Sequence, residues 1–539
     1  MSENFETMLS MSFPPAAFYL HAAPILALLI GGLIALIAGV FRGNPDRPNM
    51  LAYQIGFVSC FPSVIVPLIL LAAPGSFGAN TAQPPAWLGS GFLADQISQF
   101  TFLIVGLGTM FTLFMAEISN AGRQLLRPEL VCLLLFASAG IMILASSGEF
   151  MTFFTGLELM SVSLYVLVGY QRQDTRGLEA AVKYFLMGAT ASAIILMGMA
   201  LIYLNIGSLR WSDLPALNIS LNNPFGVIGL LMFLIGLSFK LGVAPFHTWG
   251  PDVYQGAHST LTGYMSTLVK VGIVMVLLRV LGNGFAGADG GPWVAKVFWV
   301  LATLSILVGS VFGLVHNSIK RMLAYSSIAN AGYFCLAFAT LALAPKSAEA
   351  RQAVLAYTAI YTILNLGAFA ILAWLEDSSR EDLLKEELAG LGKKAPFAAV
   401  CLTIFILGLA GIPPAAGFFG KFMLINSAVS VGLVGLAVVM VVLSCISLFY
   451  YLSLLVEIWL KPATRSSVNP QDNEDARDVR VLVGIVAFAS LLVGLVGPRW
   501  VASINPTFAR EIPVQSNEPK TGDSRSENLS PAVGAVNPH

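Results

Sequence analysis

Four ionisable side chains, Glu158, Lys240, Lys270 and Lys421, stand well inside long apolar stretches of a chain that otherwise keeps charge out of such stretches. A charge at the centre of a bilayer-spanning helix costs about 2.5–3.5 kcal/mol on insertion scales, so it is kept for a partner or a task. The default reading is an ion path. A low-dielectric site disfavours the charged form of an amine, which lets a buried lysine release a proton near neutral pH. A carboxylate nearby acts in the opposite sense. Glu158 drawn close to Lys240 holds the amine charged, and separation frees its proton toward Lys270, so the pair has the chemistry of a switch. Side chains alone do not bridge a membrane domain, and hydrated water chains must connect the stations.

Two of the four lie beside proline breaks. The segment GLSFKLGVAPFHTWGPDVYQGA places Lys240 five residues before Pro245, and LGLAGIPPAAGFFGKF places Pro413 and Pro414 eight and seven residues before Lys421. Proline deletes a backbone donor and clashes with the preceding turn, so each helix should break or kink there. Broken helices in corresponding positions of two halves point to ion sites in transporters built from inverted repeats.

Plainer readings stand beside these. A buried Glu158–Lys240 salt bridge can simply hold helices together, and such pairs are often near neutral for stability. Lys270 and Lys421 can snorkel to an interface. Lys183, in EAAVKYF, serves equally as an interface anchor or a proton donor. His247 follows Pro245, where a free imidazole can pass protons or be a satisfied loop residue. His316 borders Lys320 and Arg321 and reads first as a helix-end residue. Tyr325, Ser326 and Ser327 suit a hydrated path or helix–helix hydrogen bonds, and Glu457 an interface or subunit contact.

The elements that must position these groups are membrane helices. With 56% hydrophobic and 11% charged residues and a mean hydropathy of +0.78, the chain cannot hide its apolar surface in one soluble core. Runs of about 20 apolar residues, enough to cross a bilayer core, occupy 15–41, 51–73, 96–119, 130–147, 150–170, 178–205, 223–247, 258–282, 294–316, 320–345, 352–375, 396–428, 431–460 and 480–500. A barrel needs short alternating strands instead. The fold class is therefore an all-α polytopic membrane protein of about fourteen spans. Pairing the two broken spans, the seventh and twelfth, divides the chain into 1–127, a first repeat 128–285 (spans four to eight), a second repeat 286–461 (nine to thirteen), a last span within 462–510, and a disordered tail 511–539.

Lys and Arg in short loops favour the cytoplasmic side. One alternate loop set holds Arg42, Arg47, Arg123, Arg127, Arg172, Arg176, Lys320, Arg321, Arg380, Lys385, Lys393, Lys394, Lys461, Arg465, Arg477 and Arg480, whereas the other holds only Arg210, Lys296, Lys346 and Arg351. The first set should face the cytoplasm, with both termini outside; the loop 248–257 carries no basic residue. The first apolar stretch is too long for a signal-peptide core and reads as a first helix. Cys60, Cys132, Cys335, Cys401 and Cys445 are scattered singly, without disulfide, zinc or iron–sulfur spacing, and read as packing residues. No glycine-rich phosphate loop follows a strand. Ser379 followed by Glu381 and Asp382 reads as the cap of a short surface helix ending near Gly390, a solvated connector or a subunit contact.

Four segments in order, LELMSVSLYVLVGY (157–170), FKLGVAPFHTWGPDVYQGA (239–257), SIKRMLAYSSIANAGY (318–333) and LTIFILGLAGIPPAAGFFGKF (402–422), resemble the subunit N family of proton-pumping NADH:quinone oxidoreductase, respiratory complex I, over roughly 150–460. Its wider antiporter-like group includes subunits of multisubunit sodium/proton antiporters and membrane-bound hydrogenases. Lys421, where the M type has glutamate, and a chain ending without the lateral helix of the L type favour subunit N. The resemblance implies fourteen helices with two inverted five-helix repeats, uptake near Lys240, transfer through Lys270 and exit at Lys421. It implies no cofactor in this chain, with NAD, FMN, iron–sulfur clusters and quinone in partner subunits, and a multi-pass setting in a bacterial plasma membrane. His258, Asn330 and Ser453 depart from the family pattern, and Asn330 breaks any histidine relay at that point. A cation/proton antiporter subunit is the alternative, H⁺ and Na⁺ both remain open, and a solute carrier binding a small anion is a third class.

Overall fold

The computed structural model describes residues 16–42, 49–72, 91–119, 123, 125–171, 174–217, 224–283, 287–376, 382–465, 467–468 and 475–503. Among them the fold is all-helical. In chain order the helices are α1 (Ala16–Arg42), α2 (Met50–Ser59), α3 (Pro62–Ala72), α4 (Gln96–Ile118), α5 (Pro128–Ala145), α6 (Phe150–Val168), α7 (Thr175–Ile206), α8 (Pro224–Leu241), α9 (Trp249–Gly256), α10 (Ser259–Gly282), α11 (Gly287–Val315), α12 (Ile319–Leu343), α13 (Ala348–Leu375), α14 (Leu391–Lys394), α15 (Pro396–Ala410), α16 (Ala416–Ser430), α17 (Val434–Trp459) and α18 (Asp475–Ser503). Thirteen spans among the described residues are long and apolar enough to cross a membrane. The fourteenth expected span is the pair α15 and α16, each 15 residues long.

Both expected breaks are present and share one backbone device. α8 stops where Gly242 turns to φ +74, and the Gly242 and Val243 amides return to the Ser238 carbonyl at 3.0 and 3.1 Å. α15 stops where Gly411 turns to φ +82, and the Gly411 and Ile412 amides return to the Leu407 carbonyl at 3.0 and 3.1 Å. This left-handed position is one that glycine adopts without a Cβ penalty. The peptides Ala244–Pro245 and Pro413–Pro414 that follow are both cis.

One local expectation needs correction and two gain detail. The stretch 248–257 is mostly helix, α9, because Pro251 falls in its first turn, where no amide donor is needed. The second span, Met50–Ala72, is long and apolar enough to cross as expected, with an interruption between α2 and α3 because Pro62 cannot continue the preceding ladder. Ser379 and Glu381 lie outside the described residues, as do the first fifteen residues and the tail 511–539, and the short helix that ends near Gly390 is a single 3₁₀ turn with Lys385 and Leu388 buried. The one-turn α14 follows directly after Gly390. Gly390 sits at φ +72, and a Cβ there would lie 2.6 Å from the Ala463 amide nitrogen, so the chain turns sharply against the end of α17.

α10 is buried along its whole length, as are most of α12 and α13. These three form the centre around which the other spans pack. Close packing relies on glycine: a Cβ at Gly156 of α6 would lie 2.5 Å from the Leu144 nitrogen of α5, and one at Gly140 of α5 would lie 2.5 Å from the Met160 nitrogen of α6. Large apolar side chains such as Phe185, Phe449 and Phe488 point outward, as a lipid-facing surface requires. Cys60, Cys132, Cys335 and Cys401 are buried, but Cys445 is exposed on that outer surface, so a packing role does not extend to it.

Candidate functional site

Lys240, the penultimate residue of α8, is buried. Its ammonium donates to Ser161 Oγ at 2.8 Å and Tyr165 OH at 3.1 Å, both on α6. It lies 5.5 Å from the Tyr165 ring centroid. Glu158, Ser161 and Tyr165 fall on one face of α6 by their spacing of three and four residues. Yet among the described residues no ion pair joins Glu158 to Lys240. Glu158 is half-buried, and its Oε1 is buried without a hydrogen-bond partner. The expected pair is therefore present as neighbours on one face and parted as a salt bridge, with hydroxyls holding the amine. Room for the Tyr165 hydroxyl comes from Gly188 of α7, where a Cβ would lie 2.1 Å from it. Tyr165 meets Tyr184 edge-on at 4.8 Å, and Tyr184 stacks on Trp249 at 4.8 Å. Through Trp249 the second half of the broken span docks onto the Lys240 pocket.

Lys270 lies in the middle of α10 and does not snorkel. Its Nζ donates to both the carbonyl and the hydroxyl of Ser327 on α12, each at 2.5 Å. The same hydroxyl meets Tyr254 OH of α9 at 3.3 Å and Tyr361 OH of α13 at 3.0 Å. Beyond it, Tyr357 OH donates to Asn330 Oδ1. Asn330 Nδ2 donates to the Ser326 carbonyl at 2.8 Å, and Ser326 hydrogen-bonds Tyr451 OH of α17. Asn330 thus ties a row of hydroxyls together without being titratable itself. Ser326 and Ser327 line this interior, whereas Tyr325 stacks outside it on Phe312 and His316.

Lys421, on α16, is buried, and its Nζ donates to the carbonyls of Leu409 at 2.9 Å and Ala410 at 3.0 Å. Those are the last carbonyls of α15, which lack intrahelical partners and carry the negative end of that half-helix. The ammonium also sits 4.8 Å from the Tyr333 ring centroid. Gly411 leaves the space, since a Cβ there would lie 2.9 Å from Lys421 Cδ. Lys421 is thus a capping cation at a helix break, and it does not snorkel.

The secondary candidates do not join this row. Lys183 is largely exposed and pairs with Glu179 at 2.8 Å and Asp252 at 2.9 Å. Asp252 in turn binds Arg321 at 2.6 Å, which makes a solvated charge network at that end of the molecule. His247 lies in the break, its Nδ1 buried and unpartnered. His316 stacks on Tyr325 with centroids 5.0 Å apart; burial, then the charges of Arg321 and Lys385, hold its imidazole below the usual range. Glu457 pairs with Lys461 at 2.7 Å. His258 is the N-cap of α10, accepting the Thr260 amide at 3.3 Å.

Two buried ion pairs escape a reading for mid-span charges. Lys320 and Glu376 meet at 2.9 Å with side chains 1% exposed, and Arg279 forks onto Asp95. All four stand within a few residues of a helix end, where a charge in the sequence looks like a surface charge.

Residues 147–447 match the family described as NADH:quinone oxidoreductase/Mrp antiporter, TM. NADH-quinone oxidoreductase subunit N of Trichlorobacter lovleyi is 36% identical over 434 residues, covering 78% of this chain and 88% of that protein. The subunit N of Bdellovibrio bacteriovorus is 32% identical over 482 residues, covering 88% and 95%. Among solved structures, a chain of respiratory complex I from Thermus thermophilus superposes with a TM-score of 0.73 at 29% identity, covering 89% of this chain and 98% of that one. A chain of the Mrp complex from Dietzia sp. reaches 0.79 at 20% identity, covering 92% and 97%, a likeness of fold alone. The chain belongs to the NADH-quinone oxidoreductase subunit N family, as a multi-pass membrane subunit of that enzyme complex.

Proposed function

We propose that this chain moves protons across a bacterial plasma membrane through Glu158, Lys240, Lys270 and Lys421, driven by quinone reduction in other subunits of the complex. The observation that carries the reading is that all three ammonium groups are held by neutral oxygens, with no carboxylate within ion-pair distance among the described residues. A hydroxyl can accept from an ammonium and donate to a free amine, so the Lys240 pocket stays satisfied in either state. Glu158, parted from Lys240 in this structure, returns to it in the charged state and so gates release. Lys270 receives the proton, and Lys421 passes it outward. Redox chemistry with NAD, FMN, iron–sulfur clusters and quinone belongs to partner subunits. The matching breaks at Gly242 and Gly411 support a division into two inverted repeats, 128–285 and 286–461. In inside-out vesicles carrying the whole complex, Lys240→Ala and Glu158→Gln should abolish the proton uptake due to this subunit while the complex still assembles; wild-type uptake per NADH refutes the relay.

A further inference from the structure

We propose that Glu376, paired with Lys320 at the foot of α10, is a proton-loading site that feeds Lys270 along a polar stripe on that helix. The proposal rests on the relay reading and adds a second inlet to it. Glu376 Oε1 accepts from Lys320 Nζ at 2.9 Å and from Ser259 Oγ at 2.5 Å. Lys320 also donates to the Ala257 carbonyl at 3.1 Å. Glu376 Oε2 is buried with no partner, and so is His258 Nε2. Because His258 Nδ1 accepts the Thr260 amide, the proton of a neutral ring sits on Nε2. One buried cluster therefore holds an open acceptor and an open donor, the unmet needs that buried water satisfies. A buried carboxylate oxygen without a partner calls for an explanation beyond holding two helices together.

Ser318, two residues before Lys320 at the start of α12, donates to Asp382 at 2.6 Å within the partly exposed network of Arg321, Asp252, Gln255 and Asp382. From the cluster, Ser259, Thr262, Ser266 and Lys270 follow at spacings of three, four and four residues, which puts them on one face of a fully buried helix. The climb is about 16 Å at 1.5 Å per residue. Its upper part is lined by polar groups of α13. Asn365 donates to Ser266 Oγ at 2.6 Å, Tyr361 OH to the Ser266 carbonyl at 3.2 Å, and Tyr361 meets Ser327, which holds Lys270. Water must fill the interval at Thr262 and Ser266, whose hydroxyls are both committed to main-chain carbonyls. In the step itself, a proton from cytoplasmic water forms an O–H bond at Glu376 Oε2. It then leaves through water along the polar stripe, and the free amine of Lys270 becomes the ammonium.

The test uses the assembled complex in inside-out vesicles, comparing proton uptake per NADH oxidised with redox-induced infrared difference spectra. Glu376→Gln should keep NADH:quinone reduction, lose the uptake due to this subunit, and lose a protonated-carboxyl band that Glu376→Asp retains. Wild-type uptake in Glu376→Gln, or an unchanged carboxyl band, overturns the loading site. Lys270→Met run alongside separates the two ideas: if it also keeps wild-type uptake, the relay itself falls, and if it alone loses uptake, only the loading site falls. Should Glu376→Gln not assemble, Ser259→Ala leaves the ion pair in place, and unchanged uptake in that variant overturns the proposal.

Discussion

Buried charge in this fold is not all of one kind, and the pair Arg279–Asp95 offers the sharpest test of that statement. Arg279 is 2% exposed near the end of α10. Its guanidinium forks onto both oxygens of Asp95, donates to Ser98 Oγ at 2.7 Å, and donates to the Ala145 carbonyl at 2.7 Å. Asp95 also N-caps α4 through the Ser98 amide at 2.9 Å. Burial alone would raise the Asp95 carboxyl, but Arg279 and Ser98 outweigh it and hold it below the usual carboxylate range. A carboxyl lowered in the folded state contributes its stability above the unfolded value of about 3.9 and loses it as pH falls through the folded value, so this tie is intact at neutral pH. Removing one partner of a buried pair costs about 3–5 kcal/mol, because the other charge is left uncompensated, whereas replacing both by apolar groups is often neutral. Asp95→Leu alone should thus shift the folding equilibrium by more than about a hundredfold, and Arg279→Met/Asp95→Leu should recover most of it. The assays are the yield of assembled complex on native gels and the half-time of thermal inactivation. Proton uptake per NADH in the assembled double variant should equal wild type. A double variant as unstable as the single one, or one that assembles but pumps poorly, would refute a purely structural role.

The two break glycines should respond differently to alanine. Each pays about 1–2 kcal/mol for a left-handed non-glycine residue. At Gly242 the nearest atom to a new Cβ is Trp249 Cζ2 at 3.7 Å, so uptake per assembled complex is kept. At Gly411 the Cβ meets Lys421 Cδ at 2.9 Å and Nζ at 3.2 Å, displaces the ammonium from its carbonyls, and abolishes uptake; equal vesicle uptake in the two variants would count against Lys421. Gly156→Val should push α6 off α5, costing about 1–3 kcal/mol and carrying Ser161 and Tyr165 away from Lys240, which vesicle acidification and complex yield both read. Trp211 packs on Phe150 at 4.6 Å and donates to the Ser147 carbonyl at 2.7 Å. Trp211→Ala should cost about 3–5 kcal/mol, measured as loss of assembled complex.

Mid-span charges and proline breaks were legible because each violates a rule that lipid imposes on every other residue of a span. Which partner a buried amine holds was not. Glu158 and Ser161 share one face of α6, and only the rotation of that helix against α8 decides that the hydroxyl meets Lys240. α9 was obscured because Gly250, Pro251, Asp252 and Gln255 dilute its apolar face. The outward Cys445 was obscured for a different reason: lipid tails are as apolar as a protein core, so hydrophobicity inside a span does not tell inward from outward.

Glu376 and Asp95 show what separates a working buried carboxylate from a holding one. Both face a cation at hydrogen-bond distance and both stand at a helix end. Arg279 cannot give up its proton and engages both Asp95 oxygens, so a proton arriving there must first break a bidentate bond. Lys320 touches a single oxygen of Glu376 and has the Ala257 carbonyl to fall back on. A proton on the open Oε2 therefore breaks no existing contact, and the lysine keeps an acceptor when the carboxylate is neutralised. The distinction lies in the count of committed lone pairs and in the titratability of the partner, neither of which burial or charge alone expresses.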